Sequence, residues 1–320
     1  MVRTLQLVTS RRPFFEQQVE VLERAGVSCT VLAVPGGGRG RSLAEYVRFY
    51  TRVLRAARGA EIDLVHANYG LTAPAALAQP VRPVVLSLWG SDLLGRYGSV
   101  SEQCARFADE VVVMSEEMAG ALDRETTVVP HGIDTERFAP RPREEALDAV
   151  GWDADAKHVL FPYDTERAEK NYPRAERVVE SARDAVAGSL ELHAVSGVPH
   201  EAVPTYMNAA DALLLTSDRE GSPNAVKEAL ACNLPVVATP VGDVPDLLAG
   251  VDCSAVADTD DALADALADA LAPTTDPGGR GRAREFGLDR MGEALLGVYD
   301  SALGGEGIYD SARDEEVTAA

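Results

Sequence analysis

Lysine is nearly missing from this chain: Lys157, Lys170 and Lys227 are the only three, beside 27 arginines. With a net charge of −21 there is no basic face to release counterions from a polyanion, which argues against nucleic-acid binding. Cysteine is equally sparse. Cys29, Cys104, Cys232 and Cys253 are scattered and form no CxxC. That excludes a disulfide framework or a cysteine zinc site and leaves four small buried hydrophobes as the expectation. The five histidines show no metal-ligand spacing along the chain. No apolar run approaches the roughly 18–20 residues of a membrane span. Residues 1–13 lack the apolar centre of a signal peptide and read as a strand entering a turn, so a soluble, cytoplasmic protein is expected. GxSxG and Walker patterns are absent. The five residues 36–40 (four glycines and an arginine) lack an ordered phosphate-binding pattern and read as a flexible loop.

What is present is a well-fed core and an uneven charge. Apolar residues make up 46% of 320, enough to pack two α/β domains of ordinary size. The net charge is −21. Residues 1–150 hold 17 basic against 19 acidic side chains, whereas residues 151–320 hold 13 against 32. Acidic, lysine-poor surfaces suit solubility in concentrated salt, so a halophilic protein is expected; an acidic interaction surface is the alternative.

Apolar periodicity alternates between two and 3.6 along both halves. In the first half, strands are expected at 4–8, 28–34, 64–67, 84–88, 111–114 and 128–129, with helices at 14–25 and 43–58. In the second, strands fall at 158–161, 190–195, 212–216 and 235–238, with helices at 173–186, 201–209, 223–232 and 260–272. Such alternation builds parallel sheets covered on both faces. Two Rossmann-like α/β domains facing each other across a cleft are therefore expected. The first spans 1–140 and the second 158–285. A charged, proline-containing linker at 141–157 separates them. A helix near 286–303, which can pack back on the first domain, and a disordered tail at 304–320 complete the chain.

The strongest local signal follows the 212–216 strand: Glu220, Gly221, Ser222, Pro223, Asn224 and then Glu228 inside a helix. Ser222 suits an N-cap and Pro223 a first helical residue. The N–H groups of that first turn, aided by the positive helix end, form an anion site. Glu228, about one and a half turns in, can accept hydrogen bonds from vicinal hydroxyls. This EG-x-PN-x3-EA segment, followed by an apolar strand and Gly242, resembles the donor motif of the family-4 retaining glycosyltransferases of the GT-B fold. The resemblance runs over roughly 62–303 and is strongest at 211–246. It implies that Glu228 binds the ribose of a nucleotide-sugar donor, that Glu220 contacts the donor sugar, and that backbone N–H groups at Gly221–Asn224 meet the sugar or diphosphate.

The family also places an arginine and a lysine after the first strand of its second domain, where they neutralise the diphosphate. Here Arg167 and Lys170 take those positions, although Pro162 and Tyr163 stand where the family has Gly-Arg. Fixed cations of this kind stabilise charge developing on the leaving nucleoside diphosphate, so no metal cofactor is expected. The triplet Asp153, Ala154, Asp155 imitates a metal-binding DxD but lies in the linker without a preceding apolar strand, and reads as incidental. Leu86 to Asp92 is similar to the family's HG-x-D turn, with Trp89 in place of the histidine; Asp92 then touches donor or acceptor, or caps residues 91–94. Residues 65–70 resemble the strand end facing the acceptor. Val129 to Asp134 resembles the family's PNG-[IV]-D hinge, with His131 for its asparagine. Residues 10–15 replace the usual Gly-rich acceptor loop.

The resemblance implies a retaining transferase of hexosyl type, acting by front-face displacement on a glycan, lipid-linked or small-molecule acceptor. A sugar-nucleotide epimerase and a non-catalytic GT-B scaffold subunit are the alternatives, with a sugar-binding protein behind them. In helix 43–58, Arg48, Arg52 and Arg55 share one face, opposite Tyr46, Phe49 and Val53. A core-packed helix with solvated arginines is the favoured reading, and peripheral docking on an anionic membrane is the sharper one.

Overall fold

The computed structural model describes residues 1–36, 41–59, 61–272 and 278–305. The expected flexible loop at 36–40 and disordered tail at 304–320 lie almost wholly outside the described residues. The chain forms two units, Met1–Gly132 with Leu288–Ala320, and Ile133–Gly287.

In the first unit, short valine- and leucine-rich runs alternate with helices: β1 (Arg3–Val8), α1 (Pro13–Arg24), β2 (Ser28–Ala33), α2 (Leu43–Gly59), β3 (Leu64–Asn68), α3 (Ala73–Leu77), β4 (Val84–Ser87), α4 (Gly98–Ala105), β5 (Glu110–Val113), α5 (Glu116–Gly120) and β6 (Thr127–Val128). All pairings are parallel, in the order β2-β1-β3-β4-β5-β6. β3 and β4 are buried along their whole length, as central strands of a sheet covered on both faces must be. α2 buries only Phe49, Val53 and Ala57, at i, i+4 and i+8, so it lies on the surface with one packed stripe.

The second unit repeats the pattern: α6 (Arg143–Val150), β7 (Lys157–Phe161), α7 (Tyr172–Ala182), β8 (Leu190–Ala194), α8 (Val203–Ala209), β9 (Ala212–Leu215), α9 (Asn224–Ala231), β10 (Val236–Ala238), α10 (Val244–Leu248), β11 (Ala255–Val256), α11 (Asp260–Ala270) and α12 (Gly279–Ala283). The parallel order is β11-β10-β9-β7-β8. In each sheet the chain leaves the first strand in one direction and returns on its other side. The switch points therefore fall between β1 and β3, and between β7 and β9. Ligands of open α/β sheets bind outside the carboxyl ends of the strands at such points.

α13 (Leu288–Ala302) belongs to the first unit. Gly292 permits its approach to α1, because a Cβ there would overlap the Val21 side chain. Tyr299 is fully buried; its hydroxyl accepts from Gln6 Nε2 at 3.0 Å and lies 2.7 Å from His66 Nδ1. His66 Nε2 lies 2.7 Å from the Ser87 hydroxyl. Burial drives the His66 imidazole down to about 3, so the network is neutral at physiological pH.

The linker expectation needs correction. Residues 141–157 are not a separate connector: Ala146 and Leu147 of α6 are buried against Ala209 of α8. Arg143 and Lys157 flank Asp211 at 2.8 and 3.0 Å. The dense charge of the segment masked this narrow apolar stripe. The break lies earlier than residue 140, since Ile133 and Phe138 are already in the core of the second unit. Ile133 N–H donates to Phe286 O at 2.9 Å, joining the two ends of that unit.

Candidate active site

The β7–β9 switch point is assembled by the loops that leave those two strands. Thr216, just past β9, is fully buried, and its hydroxyl donates to the carbonyls of Lys170 (3.2 Å) and Asn171 (3.1 Å). Asp218 N–H donates to Glu169 O at 2.9 Å, and Asn171 Nδ2 to Asp218 Oδ1 at 2.9 Å. Asn171 holds φ +54°, a left-handed conformation asparagine tolerates better than most residues. These bonds set the two loops in register and bring Lys170, expected from the sequence, onto Glu220. The ammonium donates to Glu220 Oε1, which also accepts from the Ser217 hydroxyl at 2.8 Å. Lys170 is 4% exposed, and its Nζ sits 3.8 Å above the centre of the Tyr163 ring. Burial lowers its pKa and the Glu220 carboxylate opposes that shift. Burial also pushes the Tyr163 hydroxyl well above the usual phenol range, helped by the nearby Glu220 charge.

The other expected residues divide. Arg167 lies beside this pair, 5.9 Å from the Tyr163 ring, but it is half-exposed and its guanidinium bonds Glu169 at 2.8 Å. Glu228 projects from α9 and is largely buried, with Oε1 2.9 Å from His200 Nε2. That hydrogen bond raises the His200 pKa against the opposing effect of burial. Gly221 is buried and its carbonyl receives Asp243 N–H at 3.3 Å. Gly242, at φ +56°, makes this approach feasible: a Cβ would stand 2.5 Å from Gly221 O and 3.0 Å from Glu220 O. Asn224 opens α9, and its Oδ1 is buried without a hydrogen-bond partner among the described residues.

The expected cap is displaced by one residue. Pro223 is the N-cap of α9, and Ser222 does not cap it. The Ser222 hydroxyl instead donates to Asp243 Oδ2 at 2.6 Å and accepts from Lys227 Nζ at 3.1 Å. As a donor to the Ser222 oxygen, the charged ammonium is stronger than a backbone N–H. The first turn of α9 therefore has no side-chain cap, which leaves its N–H groups for an anion. Lys227 is fully buried. Desolvation brings its pKa down to about 8, against the pull of Asp243 and Glu228. Desolvation brings Asp243 up to about 6, against Ser222 and Lys227.

Asp92 requires a correction. It is fully buried, and backbone groups hold both oxygens: Oδ2 accepts from Gly70 N–H at 2.7 Å and Oδ1 from Trp89 N–H at 2.8 Å. Burial still raises its pKa to about 6. The carboxylate braces the loops after β3 and β4 and has no surface left for a substrate. What those loops present is aromatic. Trp89 meets Phe14 edge-on at 4.9 Å and Tyr69 at 5.8 Å, and His131 stacks on Phe14 at 4.2 Å. The His131 position thus carries a ring stack besides any hinge role. Tyr69 holds φ +100°, a rare conformation for a residue with a side chain, and its hydroxyl lies 3.0 Å from Ser91 Oγ.

Sequence reasoning missed Tyr163, His200, Ser217, Lys227 and Asp243. Lys227 alone carried a signal, being one of three lysines and lying inside the strongest motif. The spacing argument also missed a cluster on β7 and β8 formed by His158, Glu191 and His193. Asp153 and Asp155 form a local turn, with Asp155 N–H donating to Asp153 Oδ1 at 3.0 Å.

Two parallel-sheet α/β units in series define the class. Sucrose-phosphate synthase from Thermosynechococcus elongatus superposes with a TM-score of 0.75 at 16% identity, covering 94% of this chain and 99% of that one. HepE from Anabaena, solved with UDP-glucose, superposes with a TM-score of 0.71 at 16% identity, covering 94% and 100%. These likenesses establish the GT-B fold. Residues 171–273 match the model of glycosyl transferases group 1, and residues 5–137 that of glycosyltransferase family 4. The chain belongs to this glycosyltransferase family. A putative teichuronic acid biosynthesis glycosyltransferase, TuaC of Bacillus subtilis, is 28% identical over 214 residues, 58% of this chain and 55% of that protein. The chain thus spans about half the length of that relative. Among the described residues, no helix is long and apolar enough to cross a membrane.

Proposed function

We propose that this chain is a retaining hexosyltransferase that takes a sugar from a nucleoside-diphosphate sugar without a metal cofactor. The buried Lys170–Glu220 pair at the β7–β9 switch point carries the reading. A lysine held in place before the donor arrives loses nothing to reorganisation when charge appears on the departing diphosphate. Lys170 and the uncapped first turn of α9 receive the diphosphate, with Arg167 swinging in from its exposed pair with Glu169. Glu228 takes the ribose hydroxyls, and Glu220 holds both the lysine and the donor sugar. Because HepE has been solved with UDP and with UDP-glucose, a uridine diphosphate sugar is the donor to try first.

On the first unit, the rings of Phe14, Tyr69 and Trp89 provide an apolar platform for the acceptor, a glycan, a lipid-linked sugar or a small molecule. Peripheral membrane contact through α2 accompanies a lipid-linked acceptor.

Calorimetric titration with UDP, GDP and their sugars, on the wild type and on Glu228→Ala, tests the donor half. Micromolar binding of one nucleotide, lost in the variant, supports it. Turnover without an acceptor would favour the epimerase reading. Binding without turnover, whatever acceptor is offered, would favour the scaffold.

A further inference from the structure

Three side chains outside the donor site converge in a pattern that neither the fold nor the proposed transfer requires. β7 and β8 pair in parallel with His158 opposite Glu191 and Leu160 opposite His193. That register brings together residues more than thirty positions apart. His158 Nδ1 lies 2.9 Å from His193 Nε2 and 3.8 Å from Glu191 Oε2, and the last two atoms are 3.3 Å apart. A tetrahedral zinc ion with bonds of roughly 2.0–2.1 Å spaces its ligand atoms by about 3.3 Å. The three separations bracket that edge length.

The surroundings orient the ligands as well. His158 is fully buried, and its Nε2 lies 2.7 Å from the Asp153 carbonyl. A carbonyl only accepts, so Nε2 carries the proton and Nδ1 turns a lone pair toward the cluster. A backbone acceptor behind an imidazole is the usual way a metal-ligating histidine is held. Trp152 stacks on His193 with ring centroids 3.8 Å apart and planes 14° from parallel, which locks the second ring. Hydrogen bonding alone serves the trio poorly, because a single Nε2–H of His193 faces two acceptors, His158 Nδ1 and the Glu191 carboxylate. A cation serves all three at once. The Glu191 side chain is 45% exposed, so the remaining coordination position opens to water.

We propose that His158, Glu191 and His193 form a binding site for a divalent transition-metal ion, zinc being the best fit to two imidazoles and a carboxylate. The ion ties the edge strand β8 to β7 and to the turn at Asp153. It lies along the strands, whereas the donor residues stand at their carboxyl ends, so its role is structural. The proposal does not depend on the identity of the donor.

The test uses the full chain, stripped with a chelator and dialysed, then titrated with zinc chloride. One zinc per chain should bind, and the thermal midpoint should rise by about 5 °C with zinc in large excess over its dissociation constant. Cobalt at the same site should give the visible absorption of a four-coordinate ion. Glu191→Ala, at an exposed position, should fold normally and weaken zinc binding at least tenfold, and His193→Ala should abolish it. If the wild type holds no more zinc than the Glu191→Ala/His193→Ala double variant, or zinc leaves the midpoint unmoved, the trio is a hydrogen-bonded cluster and the site does not exist.

Discussion

The two units share an architecture, yet they fill their switch points with opposite materials. Between β1 and β3 lie Gln6, His66 and Asn68, a buried network that is neutral throughout, continued by Gln18 and Tyr299. The loops above it present rings. In the loops and helix around the β7–β9 switch point the groups are ionisable: Lys170 pairs with Glu220, Ser222 links Lys227 to Asp243, and Glu228 meets His200. Burying charge is costly unless each ion finds a partner, and a protein that pays this price repeatedly at one sheet edge has a reason. A diphosphate leaving group supplies one. Neutral rings in the other unit suit a partner that carries no charge to be met. In the proposed function, the ionic and the apolar halves of the transfer therefore fall to separate units.

The largest expected effect strikes the charged side. Lys227→Ala empties a fully buried site and removes the donor to Ser222 and the positive charge near Asp243, and denaturant titration should show a loss of about 2–5 kcal/mol. A loss under about 1 kcal/mol would show that Lys227 does not hold the donor loop. Next comes Lys170→Ala, which should slow transfer by roughly 10²–10³ with the fold intact by circular dichroism. An unchanged turnover rate would remove the basis for the proposed mechanism.

On the neutral side, Tyr299→Phe leaves Gln6 and His66 short of a partner and should cost about 1–3 kcal/mol. Its UDP affinity should match the wild type, because the network belongs to the first unit; a large drop in affinity would undo the division of labour. Salt sharpens the contrast in another way. With 13 basic and 32 acidic side chains in residues 151–320, repulsion within the second half is screened at molar salt, and thermal stability should rise there. A falling midpoint would point instead to an acidic interaction surface.

The smallest effect is a pH dependence. The folded pKa of His200 is raised above its unfolded value of 6.5. The stability its pairing with Glu228 contributes is therefore fully present below about pH 6.5 and is lost as pH rises through the folded value. Replacing His200 with Gln should flatten the stability profile across that window, and an unaltered profile would show that the pair contributes nothing.

Much of this was legible in the residues. The periodicities located nearly every strand, because a parallel strand buried on both faces has to be a short aliphatic run such as Ala212–Leu215. Lys170, Glu220 and Glu228 could be singled out because they stand in short motifs contiguous in the chain, and the structure brings Lys170 onto Glu220. Sequence distance hid the rest. His200 reaches Glu228 across 28 positions and Asp243 reaches Ser222 across 21. Asp92 was left open between meeting a substrate and capping residues 91–94, because its motif says nothing of Gly70 N–H, which closes over it.

The sequence by itself determined the α/β class and the family resemblance, and singled out the residues on which the proposed donor site rests, since these depend on periodicity and on motifs contiguous in the chain. Strand order and register were decided by the tertiary structure alone. They set the Lys170–Glu220 pair at the β7–β9 switch point, the return of α13 to the first unit, and the meeting of His158, Glu191 and His193. Each depends on which strands lie side by side, and that is a property of packing between distant segments, where local patterns carry no information.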